Sequence, residues 1–213
     1  MLAKMSSVEE IDAALNAVKQ GDTSKVPILS SLLLVDELLN HVIKKGAIDD
    51  LVNIINNQQD LSSPEQVDLI RSCVIALGRI AMADDKNAQD IVQKGGLDSI
   101  LRGIDIGNPE VLTACVDTLQ KLAVNDDIIK QIVEKGCIAK IMEKVQEFPK
   151  DEKLAESVLS FVATVSRSQE ARDEIVAKNG FQNIFNSLLN FLGNKKVQEQ
   201  VISTNFYFTL LGY

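Results

Sequence analysis

The chain has 213 residues, a net charge of −8 and a sequence pI near 4.8, which argues against phosphate-backbone binding as its main task. Apolar residues make up 46% and aromatics only 4%, with no tryptophan, so a core must be built from Leu, Ile, Val and Ala. Three cysteines, none in a C-x-x-C spacing, give no disulfide framework, and no apolar run reaches the ~20 residues of a membrane-spanning helix. With no glycosylation sequon and no signal peptide at its start, the chain is expected in a reducing, soluble compartment, the cytosol by default.

Ser7-Val8-Glu9-Glu10 has the form of a capping box, which predicts a helix beginning there and leaves residues 1–6 to fray. Ile11, Ala14, Leu15 and Val18 then follow helical spacing up to Gly21. A second, longer helix is expected from about Val26 to Lys45. Its apolar positions Ile28, Leu32, Val35 and Leu39 advance by four, three and four residues, and the step of three from Leu39 to Val42 leaves no room for a turn.

Val42-Ile43-Lys44-Lys45-Gly46-Ala47-Ile48-Asp49 reads as a helix end, a sharp turn and a new helix. The pattern is written three more times, turning at Gly95, Gly136 and Asn179, the residue types that most readily take the left-handed conformation past a helix end. A lysine precedes every pivot, where a cation complements the helix dipole. The pivots lie 49, 41 and 43 residues apart, the period of a stacked helical array, and the long first interval is explained by the polar loop over residues 56–63.

After each pivot one apolar register returns: Ile48, Leu51, Val52, Ile55; Leu97, Ile100, Leu101, Ile104; Ile138, Ile141, Met142, Val145; Phe181, Ile184, Phe185, Leu188. A long helix with the four-three-four register follows, for example Leu69, Cys73, Ala76, Ile80 and Val111, Cys115, Thr118, Leu122. Ser63-Pro64 and Asn108-Pro109 place a capping side chain before a proline at the first helical position. Short helices are expected over 86–94, 127–135 and 169–178. Cys73 and Cys115 share one slot in successive repeats, so core packing is their expected role.

Together these features resemble the armadillo repeat family over residues 8–211. The carrying residues are the short helix ending in Lys-Gly, the Gly-Ile or Gly-Leu entry to the second helix, and Ala76-Leu77-Gly78-Arg79-Ile80-Ala81 in the long third helix. The resemblance implies an all-α, right-handed α-solenoid of about five stacked repeats in one domain spanning 1–213, with units 8–41, 42–83, 86–125, 127–167 and 169–211. A HEAT array is the alternative, without the glycine-marked third element.

No chemistry-bearing constellation stands out. His41 is the lone histidine, on a predicted helix, with no cysteine near it in sequence, and neither G-x-x-x-x-G-K-S/T nor G-x-G-x-x-G occurs. The carboxylate pairs Asp49-Asp50, Asp84-Asp85 and Asp126-Asp127 fall at helix starts, where they complement the dipole. No enzyme activity, cofactor or metal is expected.

In the family the third helices line a concave groove. The resemblance carries its groove positions onto Leu34 and Leu38, Ile75 and Arg79, Asp117 and Lys121, Ser160 and Thr164, Ser203 and Tyr207, with Arg71 and Thr113 one turn earlier. Importin-alpha-like grooves carry tryptophan and asparagine ladders for basic peptides, which this sequence lacks. Arg71, Arg79 and Lys121 instead resemble the basic residues of beta-catenin-like grooves. The expectation is a protein-binding scaffold or adaptor for an extended segment with acidic and apolar residues, binding neither nucleic acid nor membrane. The alternatives are an architectural subunit of a cytoskeletal or ciliary assembly, and a regulator docking a folded client such as a chaperone or small GTPase. Seven of the nine aromatics lie from Phe181 onward, so the C-terminal end is expected to dock another protein or a second copy.

Overall fold

Ser63, Asp84, Asn108, Asn125 and Asp151 each turn a side-chain oxygen onto a free N–H of the helix that follows. Capping by such residues stabilises a helix start by about 1 kcal/mol, so the sequence sets these boundaries locally. A computed structural model describes residues 2–20, 22–26, 36–58 and 63–177. They form eleven α-helices and no strand. In chain order these are α1 (Leu2–Lys19), α2 (Asp36–Lys44), α3 (Ala47–Asn57), α4 (Pro64–Ala83), α5 (Asp85–Gln93) and α6 (Gly96–Ile104). There follow α7 (Pro109–Leu122), α8 (Asp126–Glu134), α9 (Cys137–Lys144), α10 (Glu152–Val165) and α11 (Gln169–Ala177).

Two complete short–second–long triplets are present, α5-α6-α7 and α8-α9-α10. The long helices stack in series, α4 on α7 and α7 on α10. The core is one continuous aliphatic strip from Ile11 to Ile175. Phe161 is the only buried aromatic among the described residues. Cys73, Cys115 and Cys137 are free and buried in this strip. Burial pushes the Cys73 thiol up to about 12, which keeps it a protonated packing group rather than a nucleophile.

The pivots behave as their residue types require. Gly46, Gly95 and Gly136 have φ of 86°, 85° and 73°, and each starts the next helix without a side-chain cap. Nothing lies within 4 Å of the position a Cβ would occupy at Gly95, so only backbone strain opposes a side chain there. Gly95→Ala is therefore expected to lower unfolding free energy by about 1 kcal/mol, with Gly95→Asn recovering much of it, because asparagine tolerates this region. Urea denaturation of both variants reads the difference. An alanine as stable as the wild type would show that the left-handed turn is not what fixes the glycine.

Two expectations change. Helix α1 begins at Leu2, so residues 2–6 are helical and Ser7 sits inside the helix rather than capping it. Leu2-Ala3-Lys4-Met5 are strong helix formers with no glycine or proline, and they extend the helix past the local signal. Leu38, expected at the groove, is 3% exposed and belongs to the core beside Leu39, because α2 packs on α1, α3 and α4 together. The helix does run unbroken from Leu39 through Val42 and ends at the Lys45-Gly46 turn. Residues 27–35 of that expected helix, Leu34 among them, the Asn179 pivot and the C-terminal aromatics including Tyr207 lie outside the described residues.

Adjacent repeats are also joined by rungs that the register alone does not reveal. Lys45 lies 4.0 Å from Asp12, Lys94 2.7 Å from Asp49 and Lys135 2.7 Å from Asp98, so these three pivot lysines reach one repeat back. The Asp49 contact raises the Lys94 pKa above its ordinary value. Cations also cap helix ends across repeats: Arg102 donates to the Gln58 carbonyl, and Arg167 to the Ala123 carbonyl at 2.7 Å. Exposed ion pairs contribute only ~0.2–1 kcal/mol each, so the rungs set register while the aliphatic strip supplies most of the stability.

Candidate functional site

Side chains three or four residues apart share one face of a helix, which puts Arg71, Ile75 and Arg79 in a stripe along α4 and Thr113, Asp117 and Lys121 in a parallel stripe along α7. The two stripes face each other across a cleft of about 410 Å³. Glu110 from the first turn of α7 also lines it, with Asp151 and Lys153 from the entry to α10. Six of the positions transferred from the resemblance thus share a single concavity.

Beside the cleft, Gly78 of α4 lies close against α7. A Cβ there would lie 2.7 Å from the Thr118 hydroxyl oxygen and 3.4 Å from Cδ of Lys121. The missing side chain lets α7 approach closely enough for Thr118 to donate to the Val74 carbonyl at 3.0 Å. Arg79 is partly desolvated, and burial lowers its guanidinium pKa from the ordinary value, though an arginine keeps its charge at any physiological pH. Arg71 is also half-buried and pairs with Asp68 at 3.0 Å within α4. Thr113 is 5% exposed and donates to the Pro109 carbonyl, so it forms wall rather than contact.

Between α7 and α10 the polar groups are used internally. The Gln120 amide donates to the Ser160 hydroxyl at 2.7 Å, and the Thr164 hydroxyl donates to the Ser160 carbonyl at 2.9 Å. Ser160 and Thr164 are both half-buried. Met82, which the sequence reading passes over, extends the α4 stripe by three residues beyond Arg79 and is 67% exposed. Its spacing of seven from Ile75 is the signal that could have found it.

His41 contacts Asp12 at 2.6 Å, joining α2 to α1 far from this cleft along the chain. Arg172, also missed, is 5% exposed and donates to the Ser166 carbonyl and the Gln169 side chain, closing the end of α10.

Helix triplets turning on left-handed glycines, with long helices stacked into a cleft, are the architecture against which known proteins compare. The profile of the GAC ARM domain matches residues 2–210. The chain belongs to the GAC ARM domain family. In structure, the chain is similar to an engineered protein solved by a structural genomics consortium, at TM-score 0.71 and 18% identity over 91% of this chain and 78% of that one. A designed armadillo repeat protein in complex with the peptide (KR)4 aligns at TM-score 0.69 and 17% identity over 90% and 79%. A further designed armadillo repeat protein aligns at TM-score 0.64 and 16% identity over 95% and 90%. At such identities the likeness establishes the fold, an all-α armadillo solenoid. No curated protein matches the chain in sequence. Armadillo repeat domains such as the GAC ARM family generally serve as protein-binding scaffolds. No helix among the described residues is long and apolar enough to cross a membrane.

Proposed function

We propose that this GAC ARM domain is a non-catalytic adaptor or complex subunit, working in the cytosol, that takes an extended partner segment along the groove of its third helices. In this reading residues 1–213 act as one array in the five units given above, and the segment carries acidic and apolar side chains. The observation that supports it is the cleft between α4 and α7, where Arg71, Arg79 and Lys121 surround Ile75. The aromatic-rich sequence from Phe181 onward is a second contact, for another protein or copy.

Magnitudes favour cations seated within the cleft over those at its rim. A carboxylate held by a guanidinium away from water gains about 1.5–3 kcal/mol, whereas rim pairs give ~0.2–1 kcal/mol and are screened by salt. The test is the double change Arg71→Glu with Arg79→Glu, read by co-purification and mass spectrometry. Neither residue is in the core, so the variant is expected to keep its helical signal and melting temperature while losing its main partner. A folded variant that still holds that partner at physiological salt would move the working surface off the groove and favour an architectural role.

A further inference from the structure

The short helices of two successive repeats leave an opening at their seam. Between α5 and α8 lies a crevice of about 280 Å³, and none of its lining residues belongs to the α4/α7 cleft. Its floor is apolar: Val92 is 9% and Ile128 2% exposed. Its walls are amides, Gln89 and Gln93 one turn apart on α5 and Gln131 on α8, all exposed. The side chains of Gln89 and Gln93 make no hydrogen bond among the described residues.

Asp127 carries the one formal charge among the lining residues. Its neighbour Asp126 is met by Arg167 at 3.4 Å, whereas Asp127 makes no ion pair among the described residues. The next seam supplies the contrast. There, counted from each helix start, Lys130 takes the place of Gln89 and Glu170 the place of Asp127. The Ser168 hydroxyl and, to a lesser extent, the Lys130 cation hold the Glu170 carboxyl below its ordinary range. At the α5/α8 seam a neutral glutamine stands at the position of that cation, and the carboxylate is left without one.

We propose that this crevice seats a lysine of a partner protein, its ammonium on Asp127 and the glutamine carbonyls and its stem on Val92 and Ile128. An ammonium presents three donors, and a lysine stem covers apolar surface while the charge stays near water. Glutamine N–H groups remain for the main-chain carbonyls of the same segment. One carboxylate, amides and an apolar floor thus favour a lysine within a polypeptide over an acidic side chain. The seat is independent of the groove, and either surface can be occupied without the other.

The probe is acetyl-Ala-Lys-Ala-amide, titrated into the nitrogen-15-labelled full chain and followed by its amide resonances. Saturable shifts are expected at the side-chain amides of Gln89, Gln93 and Gln131 and at the Asp127 backbone. The norleucine counterpart, which lacks the charge, is expected to bind at least tenfold more weakly. Asp127→Asn should raise the Kd about fivefold. Gln89→Lys should do the same, because it supplies the cation that Lys130 supplies one seam on. Both positions are exposed, and circular dichroism checks that each variant is folded. Equal affinity for the two peptides overturns the seat, as does either variant with unchanged Kd. Shifts spread alike over Asp84, Asp85 and Asp126 would reduce the lysine to a counterion of an acidic surface and overturn it too.

Discussion

Phe161→Ala is expected to cost the array about 3–5 kcal/mol of unfolding free energy, the largest loss from any single truncation considered for this chain. Phe161 is 0% exposed and lies on α10, which packs against α7. Removing the ring deletes buried apolar area and leaves a cavity in a packed core that can close over it only in part. Because each repeat touches only its neighbours, the loss should stay local. Urea unfolding should become less cooperative, and hydrogen exchange should show α10 losing protection before α4. A loss below 1 kcal/mol with uniform protection would mean that the fourth repeat does not depend on this ring.

Gly78→Ala is expected to destabilise by about 1–3 kcal/mol, although alanine is the better helix former. Within a helix the exchange should gain about 1 kcal/mol. Against it stands the Cβ position, 2.7 Å from the Thr118 oxygen, a distance that real Cβ atoms do not tolerate. The hydroxyl is short and fixed by its bond to the Val74 carbonyl, so either that bond breaks or α4 and α7 move apart. Overpacking of this kind costs about 1–3 kcal/mol, and a broken buried hydrogen bond adds about 1 kcal/mol. Thermal melts give the first measurement. The companion change Thr118→Ser in the Gly78→Ala background should recover little, because the clashing atom remains, whereas Thr118→Ala should recover part of the loss. Full stability in Gly78→Ala alone would show that the close approach is not needed.

What the sequence makes legible is what neighbouring residues decide among themselves. Ser63-Pro64, Asn108-Pro109 and the pivots Gly46, Gly95 and Gly136 act within one turn of chain, so pattern and structure agree. The stripes Arg71/Ile75/Arg79 and Asp117/Lys121 also follow from helical period once the core register is known. Leu38 escapes that logic because its exposure depends on what packs over α2, and three helices enclose it. Met82 falls past the last core position used to set the register, where periodicity gives no further anchor. The Lys94–Asp49 and Lys135–Asp98 contacts span 45 and 37 residues and exist only once repeats stack. Their trace in the sequence is an aspartate at the third position of α3 and of α6, directly after Ile48 and Leu97. Read alone, it looks like ordinary helix-start chemistry.

That line of aspartates does not run the length of the molecule. Asp12, Asp49 and Asp98 hold the first three positions, and the corresponding residue on α9 is Ala139. The three seams therefore carry a term that weakens as ionic strength rises, and Ala139 offers no carboxylate to extend the line. The Lys94–Asp49 contact joins the repeat that holds α4 to the repeat that holds α7. The two walls of the cleft are thus held together in part by a contact that added salt is expected to screen.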